Sequence, residues 1–153
     1  MLICFSWIIN NRLAVGSFPK LDYEIAYLSK LGITSVLCLT QAKEIKVPQS
    51  IKNQFVWRNV PMPDGAKGGV PNVKDFQDAY SILSRWQQRG HITFVHCLAG
   101  VERSPAVCAL YLTQVKDISL EEAISLVQAK HSYAQTNPSQ LAVMREFLEL
   151  SPK

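Results

Sequence analysis

Runs of apolar residues alternate along this chain with amphipathic stretches, and the alternation predicts an α/β order of strands and helices. The apolar runs predict strands over residues 2–7, 12–15, 33–39, 55–60 and 92–95, the first two forming a hairpin around Asn10-Asn11. The amphipathic stretches predict helices over residues 22–31, 72–89, 104 to about 115 and 119–129, and a last helix beginning at Pro138. We therefore expect a single domain, residues 1–153, with a mostly parallel central sheet of about five strands covered by helices on both faces.

One run of residues lies at the edge of this sheet where ligands usually bind, beyond the carboxyl ends of the strands. It begins at Val95, the end of a buried strand, and ends at Pro105, which suits the first turn of a helix. Cys97 stands between the two. Backbone N–H groups and the positive end of a helix favour an anion at such a junction, whether a thiolate or a phosphoryl group. The run therefore predicts a phosphate-binding loop built around a nucleophilic thiol.

The residues that follow Cys97 strengthen this interpretation. Arg103 can fold back and bind two phosphate oxygens with its planar guanidinium, and Gly100 permits a tight turn. Ser104 places a hydroxyl beside the sulfur, where it can stabilise a departing thiolate. The backbone groups expected to bind phosphate belong to Leu98, Ala99, Gly100, Val101, Glu102 and Arg103. The plain alternative for a lone cysteine is a small buried apolar residue, which the Gly and Arg offsets disfavour.

The loop resembles the signature loop of the cysteine-dependent protein tyrosine phosphatases at His96, Cys97, Gly100, Arg103 and Ser104. The layout around it is similar to the small dual-specificity branch, and to the kinase-associated phosphatase type in particular. The likeness covers nearly the whole chain, but only the signature loop and an acid loop before it are specific. It implies the dual-specificity phosphatase fold and hydrolysis of phosphate monoesters through a cysteinyl phosphate.

Asp64 is the predicted general acid. It follows strand 55–60 in a Pro-Asp-Gly turn and stands 97 − 64 = 33 positions before Cys97, a separation similar to that in the family. A carboxylic acid there can protonate the leaving oxygen and then activate the attacking water. An ordinary turn is the alternative, but turn and catalysis are compatible. Asp75 and Asp78 fall inside a predicted helix and compete poorly.

Several further residues are candidates for supporting roles. The resemblance implies that His96 orients the backbone of the cysteine and tunes its thiolate. It also aligns Asn137 with a segment that packs against the signature loop in relatives, although a helix N-cap explains this residue equally well. Gln140 is a weaker candidate for positioning water. We expect His91 and His131 to face solvent.

Cys38 lies near the end of strand 33–39, so it should approach the same sheet edge as Cys97. Since related phosphatases can carry a second thiol there, Cys38 is a possible redox partner that traps oxidised Cys97 as a disulfide. A buried core cysteine is the simpler expectation. We expect Cys4 and Cys108 to be structural.

Composition and charge restrict the cellular compartment and the binding partners that we expect for this chain. The chain has 153 residues, of which 48% are hydrophobic, and a net charge of +4 without a Lys/Arg stripe, so we expect no nucleic-acid partner. No apolar run is long enough to span a membrane and no basic segment precedes the first residues, which predicts neither a membrane association nor a signal peptide. Four cysteines without paired spacing suggest the reducing cytoplasm. No His/Cys/Asp cluster has ligand spacing, so we infer no metal and no other cofactor.

The loop side chains also bear on the substrate. Phosphoinositide phosphatases of the superfamily tend to carry lysines within the loop, whereas this chain has Leu98, Ala99, Val101 and Glu102. Glu102 should repel polyanionic lipids. We expect a monomer that acts on phosphotyrosine, and possibly phosphoserine or phosphothreonine, in a phosphorylated protein. The alternatives are a phosphoinositide phosphatase, a noncatalytic phosphate-binding module, and a sulfur-transfer or arsenate-reducing domain, which would not require Asp64.

Overall fold

Five strands form one sheet within residues 3–151, the part of the chain that this computed structural model describes. The strands are β1 (Phe5–Ile9), β2 (Leu13–Gly16), β3 (Ser35–Cys38), β4 (Val56–Asn59) and β5 (Thr93–His96). The helices are α1 (Asp22–Lys30), α2 (Gln49–Gln54), α3 (Val73–Gln88), α4 (Arg103–Lys116), α5 (Leu120–Lys130) and α6 (Pro138–Leu150). The strand order is β1-β2-β5-β3-β4, with β1 antiparallel to β2 and the other pairings parallel. The predicted mostly parallel sheet is therefore confirmed.

Both faces of the sheet are buried, because alternate residues of its central strands enter two different clusters. Leu37 and Val95 point to the cluster that includes α3, α4 and α6. Val36 and Phe94, their chain neighbours, point to the opposite cluster, which includes Ile25 of α1. A strand buried on both faces reads as a continuous apolar run, which is why these strands were visible in the sequence.

Polar side chains cap the starts of α3 and α5, at the residues where these helices were predicted to begin. Asn72 accepts a hydrogen bond from the Asp75 backbone N–H, and the Asp75 carboxylate accepts one in return. Ser119 caps α5 by accepting a hydrogen bond from the N–H of Glu122. None of the helices in residues 3–151 has the length and apolar character required to cross a membrane.

Two features of the fold differ from the sequence prediction. Helix α2 was missed because it has six residues and buries only Ile51, which is too short a segment for a helical period to be read. Strands β3 and β4 are shorter at both ends than the apolar runs that predicted them, whereas β2 and β5 are displaced by one residue towards the C-terminus and β1 ends two residues later than predicted. The predicted start of the first strand at Leu2 lies outside the described residues.

The loops that follow β2, β3 and β5 meet at one edge of the sheet. Gly16, Cys38 and His96 are in register as the last residues of these three strands. The signature loop therefore lies beside the chain that leaves β2 on one side and the chain that leaves β3 on the other.

Candidate active site

Cys97 lies directly after β5 and is 1% exposed. Its Sγ lies 3.3 Å from the Oγ of Ser104, in the first turn of α4, as the sequence predicted for this pair. The same hydroxyl lies 3.3 Å from the carbonyl oxygen of Gly16, to which it can donate. The Ser104 hydroxyl thus has two acceptors within reach and can turn its proton towards the sulfur.

The loop between Cys97 and α4 turns at Gly100, where φ is +74°. Residues with a side chain seldom adopt this conformation. Space excludes a side chain as well, because a Cβ here would lie 2.7 Å from the carbonyl carbon of Gly16. Glycine is therefore required at this position by both the backbone angle and the contact with the end of β2.

His96 is completely buried below the loop, between the rings of Phe18 and Phe94. Its Nδ1 lies 3.0 Å from the Cys97 carbonyl oxygen, and since a carbonyl only accepts, Nδ1 carries the proton. Burial lowers the pKa of His96 to about 4, so the ring is neutral near pH 7. Its Nε2 has no hydrogen-bond partner within residues 3–151. The imidazole thus holds the backbone of the nucleophile by one neutral hydrogen bond.

Arg103 is held by a carboxylate that the sequence did not point to. Its Nη1 and Nη2 donate to the two carboxylate oxygens of Glu44 at 2.8 and 2.7 Å, and Nη1 also donates to the carbonyl oxygen of Met62 at 2.9 Å. Both charged side chains of this pair are almost fully buried. Burial alone raises the pKa of Glu44, but hydrogen bonds from Arg103 and from the Gln41 backbone N–H lower it below its usual value.

These contacts use three of the five guanidinium N–H groups of Arg103. The remaining two, on Nε and Nη2, have no hydrogen-bond partner among the residues described. They lie on the same edge of the guanidinium plane, which is the geometry that binds two oxygens of a phosphate. Burial lowers the pKa of Arg103, but the hydrogen bonds to Glu44 and the nearby Cys97 charge raise it above its usual value, so the cation is permanent.

Asp64 lies on the loop after β4, next to the open edge of Arg103. Its Oδ1 is 3.9 Å from Arg103 Nη2, and the same oxygen accepts a hydrogen bond from the Ala66 N–H at 3.0 Å. The predicted turn role is therefore present, because Asp64 caps the short three-ten turn Gly65–Lys67. The loop also contacts the signature loop, since a Cβ on Gly65 would lie 2.8 Å from Glu102 Oε2.

Of the two candidates near the start of α6, Asn137 and Gln140, only Gln140 forms a hydrogen bond with the signature loop among the residues described. Asn137 is the N-cap of α6, accepting from the N–H groups of Ser139 and Gln140. The contact with the signature loop is made instead by Gln140, whose Nε2 donates to the Glu102 carbonyl oxygen at 3.2 Å. The sequence favoured Asn137 for this contact and offered Gln140 only as a weaker candidate for positioning water.

Cys38 is buried, but its placement does not support the predicted disulfide. The register pairs Cys38 with His96, so residue alternation turns its side chain to the face opposite to that of Cys97. Its Sγ lies 3.0 Å from the Thr40 hydroxyl. The thiols whose pKa values are raised by burial and by the charge on Cys97 are Cys4 and Cys108.

The expectation that His131 faces solvent is wrong, because it is 1% exposed and lies beneath the signature loop. Its Nε2 lies 2.8 Å from the Gly100 carbonyl oxygen. His91 is half-buried, with Nδ1 2.9 Å from the Thr34 hydroxyl at the other end of the sheet. A lone histidine carries no sequence signal for burial, so only the fold reveals this difference.

Comparison with known proteins identifies the family. Residues 13–149 match the dual specificity phosphatase catalytic domain model, so the chain belongs to that family and has the catalytic domain of a hydrolase of the cysteine-dependent tyrosine phosphatase superfamily. The narrower likeness to the kinase-associated type stays a prediction.

Individual relatives cover most of the chain. A rat protein named phosphatidylglycerophosphatase and protein-tyrosine phosphatase 1 is 37% identical over 91% of this chain and 74% of its own length. Arabidopsis thaliana phosphatidylglycerophosphate phosphatase PTPMT2 is 28% identical over 93% of this chain, which spans 62% of that relative. The crystal structure of PTPMT1 in complex with PI(5)P superposes with a TM-score of 0.83 at 25% identity, covering 95% of both chains.

Proposed function

We propose that this chain hydrolyses phosphate monoesters in two steps, through a phosphoryl group covalently bound to Cys97. The observation that carries the proposal is one segment holding a buried thiol, a hydroxyl 3.3 Å from its sulfur, and an arginine with two N–H groups on one edge that makes no hydrogen bond within residues 3–151. A noncatalytic module would not need a carboxylate beside that edge, whereas Asp64 lies there.

In the first step the Cys97 thiolate attacks phosphorus and the bond from phosphorus to the leaving oxygen breaks. The Nε–H and Nη2–H groups of Arg103 and the loop amides bind the three equatorial oxygens, where negative charge is concentrated in the transition state. Asp64 transfers its proton to the leaving oxygen. The products are the alcohol or phenol and a phosphoryl group on sulfur.

In the second step a water attacks the phosphoryl group while Asp64, now ionised, takes its proton. The sulfur–phosphorus bond breaks and the electron pair returns to sulfur. Ser104 donates a hydrogen bond to the departing thiolate. Inorganic phosphate leaves, and Cys97 and Asp64 are restored to their starting states.

For the substrate we propose phosphotyrosine, and secondarily phosphoserine or phosphothreonine, on a protein that the chain binds as a monomer. Two loop side chains support this choice. Leu98 is 41% exposed at the loop and offers apolar contact to an aromatic ring. Glu102 places a negative charge against Gly65 of the acid loop, which disfavours a ligand with additional phosphate groups.

Phospholipid monoesters form the second candidate class. The observation in its favour is the relative at 37% identity whose name includes a phosphatidylglycerophosphatase, together with the related fold solved with PI(5)P. The same thiol, guanidinium edge and acid would serve either class, because both present a monoester to the loop.

One comparison of kcat/KM decides between the classes. Purified protein is assayed on a phosphotyrosine peptide, on phosphatidylglycerophosphate in mixed micelles and on PI(5)P in the same micelles, with Cys97→Ser as the inactive control. We expect the peptide to be preferred, and Glu102→Lys to improve the lipid rates relative to the peptide rate by about tenfold or more, since one charge is reversed. Preference of the wild-type protein for either lipid would overturn the protein-substrate proposal while leaving the two-step chemistry intact.

A further inference from the structure

The carbonyl groups of the signature loop have fixed directions, as its amide groups do. A peptide that points its N–H inward to phosphate points its C=O outward into the protein, where an unpaired carbonyl is costly. Donors outside the loop meet these oxygens: the backbone N–H groups of Phe18 and Gln135 reach the Leu98 and Val101 oxygens at 3.0 and 2.8 Å. The outward carbonyls are thus anchored in fixed directions.

At Gly100 the donor is a side chain. His131, one residue after α5, lies with Nε2 2.8 Å from the Gly100 oxygen and Nδ1 2.8 Å from the hydroxyl of Ser6 on β1. Because the carbonyl only accepts, Nε2 carries the proton, and a neutral ring then accepts the Ser6 proton at Nδ1. Burial lowers the pKa of His131, which agrees with a neutral ring. Both nitrogens are therefore satisfied in one tautomer.

The Gly100 peptide is the part of the loop most dependent on such support. Its φ of +74° marks the reversal of the loop, and its backbone packs so closely on the end of β2 that no Cβ fits. A glycine has more freedom to rotate than any other residue, so this peptide needs an external restraint to keep one orientation. His131 supplies that restraint from a helix end 31 positions away in the sequence.

We propose that His131 is a positioning residue for the phosphate-binding loop: its Nε2–H fixes the Gly100 carbonyl outward, so that the adjoining amides face the bound phosphate, and Ser6 fixes the ring. This inference rests on the proposed phosphatase function. His131 touches neither the substrate nor the thiol through which the reaction proceeds, and it acts by orienting the backbone that binds the phosphoryl oxygens.

Two substitutions of His131 by side-chain amides distinguish the role of Nε2 from that of Nδ1. In His131→Gln the side-chain amide can donate near the position of Nε2, whereas in His131→Asn the shorter amide reaches only the region of Nδ1. His91→Gln, a change of the half-buried histidine at the other end of the sheet, is the matched control. We expect His131→Asn to weaken vanadate binding, measured by calorimetry, and to lower kcat by about tenfold each, the effect of losing roughly one hydrogen bond. His131→Gln should stay within about threefold of wild type.

The measurements also separate this inference from the proposed function. Equal vanadate affinity and equal kcat in His131→Asn, His131→Gln and wild type would overturn the positioning role while leaving the phosphatase assignment untouched. An inactive wild type that still binds vanadate in the expected order of variants would refute hydrolysis but support the loop restraint.

A measurement on the unmodified protein covers the case in which a variant does not fold. Long-range proton–nitrogen NMR of the wild-type chain reports which ring nitrogen of His131 is protonated. We expect the Nε2–H tautomer near neutral pH. The Nδ1–H tautomer would overturn the proposal, because the ring could then not donate to Gly100.

Discussion

Replacing Glu44 by Gln tests whether the arginine of the signature loop is held in place by a buried charge pair. The wild-type pair is bidentate, with N–O distances of 2.7 and 2.8 Å, and the side chains of Arg103 and Glu44 are 4% and 3% exposed. Removing one partner of a buried pair leaves the other charge unpaired and costs about 3–5 kcal/mol. A glutamine keeps the volume and one acceptor oxygen, so we expect the lower end, about 3 kcal/mol.

Glu44→Gln should lower kcat/KM by more than its loss of stability alone would, because it also frees the orientation of Arg103. Without the second carboxylate oxygen, the guanidinium can rotate away from the orientation that presents Nε–H and Nη2–H to phosphate. A misplaced transition-state donor costs about 10²–10³ in rate, and since Arg103 itself remains we expect about a hundredfold loss of kcat/KM.

The assay combines urea unfolding and p-nitrophenyl phosphate kinetics at near-neutral pH, where the Arg103 guanidinium and the Glu44 carboxylate are both charged. Asp78→Asn is the matched control, because it breaks the Lys74–Asp78 pair, whose side chains are 78% and 49% exposed. We expect the control to cost less than about 0.5 kcal/mol and to leave the kinetics unchanged. If Glu44→Gln and Asp78→Asn have the same stability and the same kcat/KM, Glu44 does not hold Arg103 in its phosphate-binding orientation.

Three further predictions test other parts of the site. Asp64→Asn should slow hydrolysis of aryl phosphates with poor leaving groups by about 10²–10⁴ and good ones far less, and equal slowing across the series would contradict its role as the acid. Acidification from about pH 6.5 to pH 4 should lower the free energy of unfolding, measured by urea titration, by about 3 kcal/mol. The reason is that His96 takes up a proton over this range in the unfolded chain but not in the folded protein, where burial lowers its pKa to about 4. A free energy of unfolding that does not change with pH would contradict this. Gly100→Ala should abolish vanadate binding and cost more stability than Gly90→Ala, where φ is +84° but no atom of residues 3–151, apart from the adjoining residues, lies within 4 Å of the new Cβ. Equal effects would show that the contact with Gly16 is unimportant.

The parts of the site that could be predicted are those whose residues lie close together in the sequence or directly follow a recognisable element. Cys97, Gly100, Arg103 and Ser104 lie in one short segment that runs from the loop into the first turn of α4, so their spacing alone brings them together. Asp64 is predictable because its turn follows a recognisable strand. The alternation of apolar runs likewise predicted the sheet, since strands buried on both faces have a strong compositional signal.

The parts that were missed depend on contacts between distant segments. Glu44 reaches Arg103 across 59 positions of sequence, in a stretch without periodicity, and nothing in its surroundings distinguishes it from a surface carboxylate. His131 is similar, because its burial follows from how α5 ends beneath the loop. Cys38 is a different case: its strand was predicted, but the face on which its side chain lies depends on the register with β5, which composition does not determine.

In the proposed two-step reaction Cys97 becomes phosphorylated during turnover, and this intermediate can be trapped. The protein is mixed with p-nitrophenyl phosphate, quenched in acid within the first turnover and digested for mass spectrometry. Asp64→Asn is examined in parallel, since slower hydrolysis should increase the amount trapped. We predict the added mass of one phosphoryl group on the peptide containing Cys97, and none in Cys97→Ser. Turnover by the wild-type protein with no phosphoryl group on that peptide, or full activity of Cys97→Ser, would contradict the mechanism.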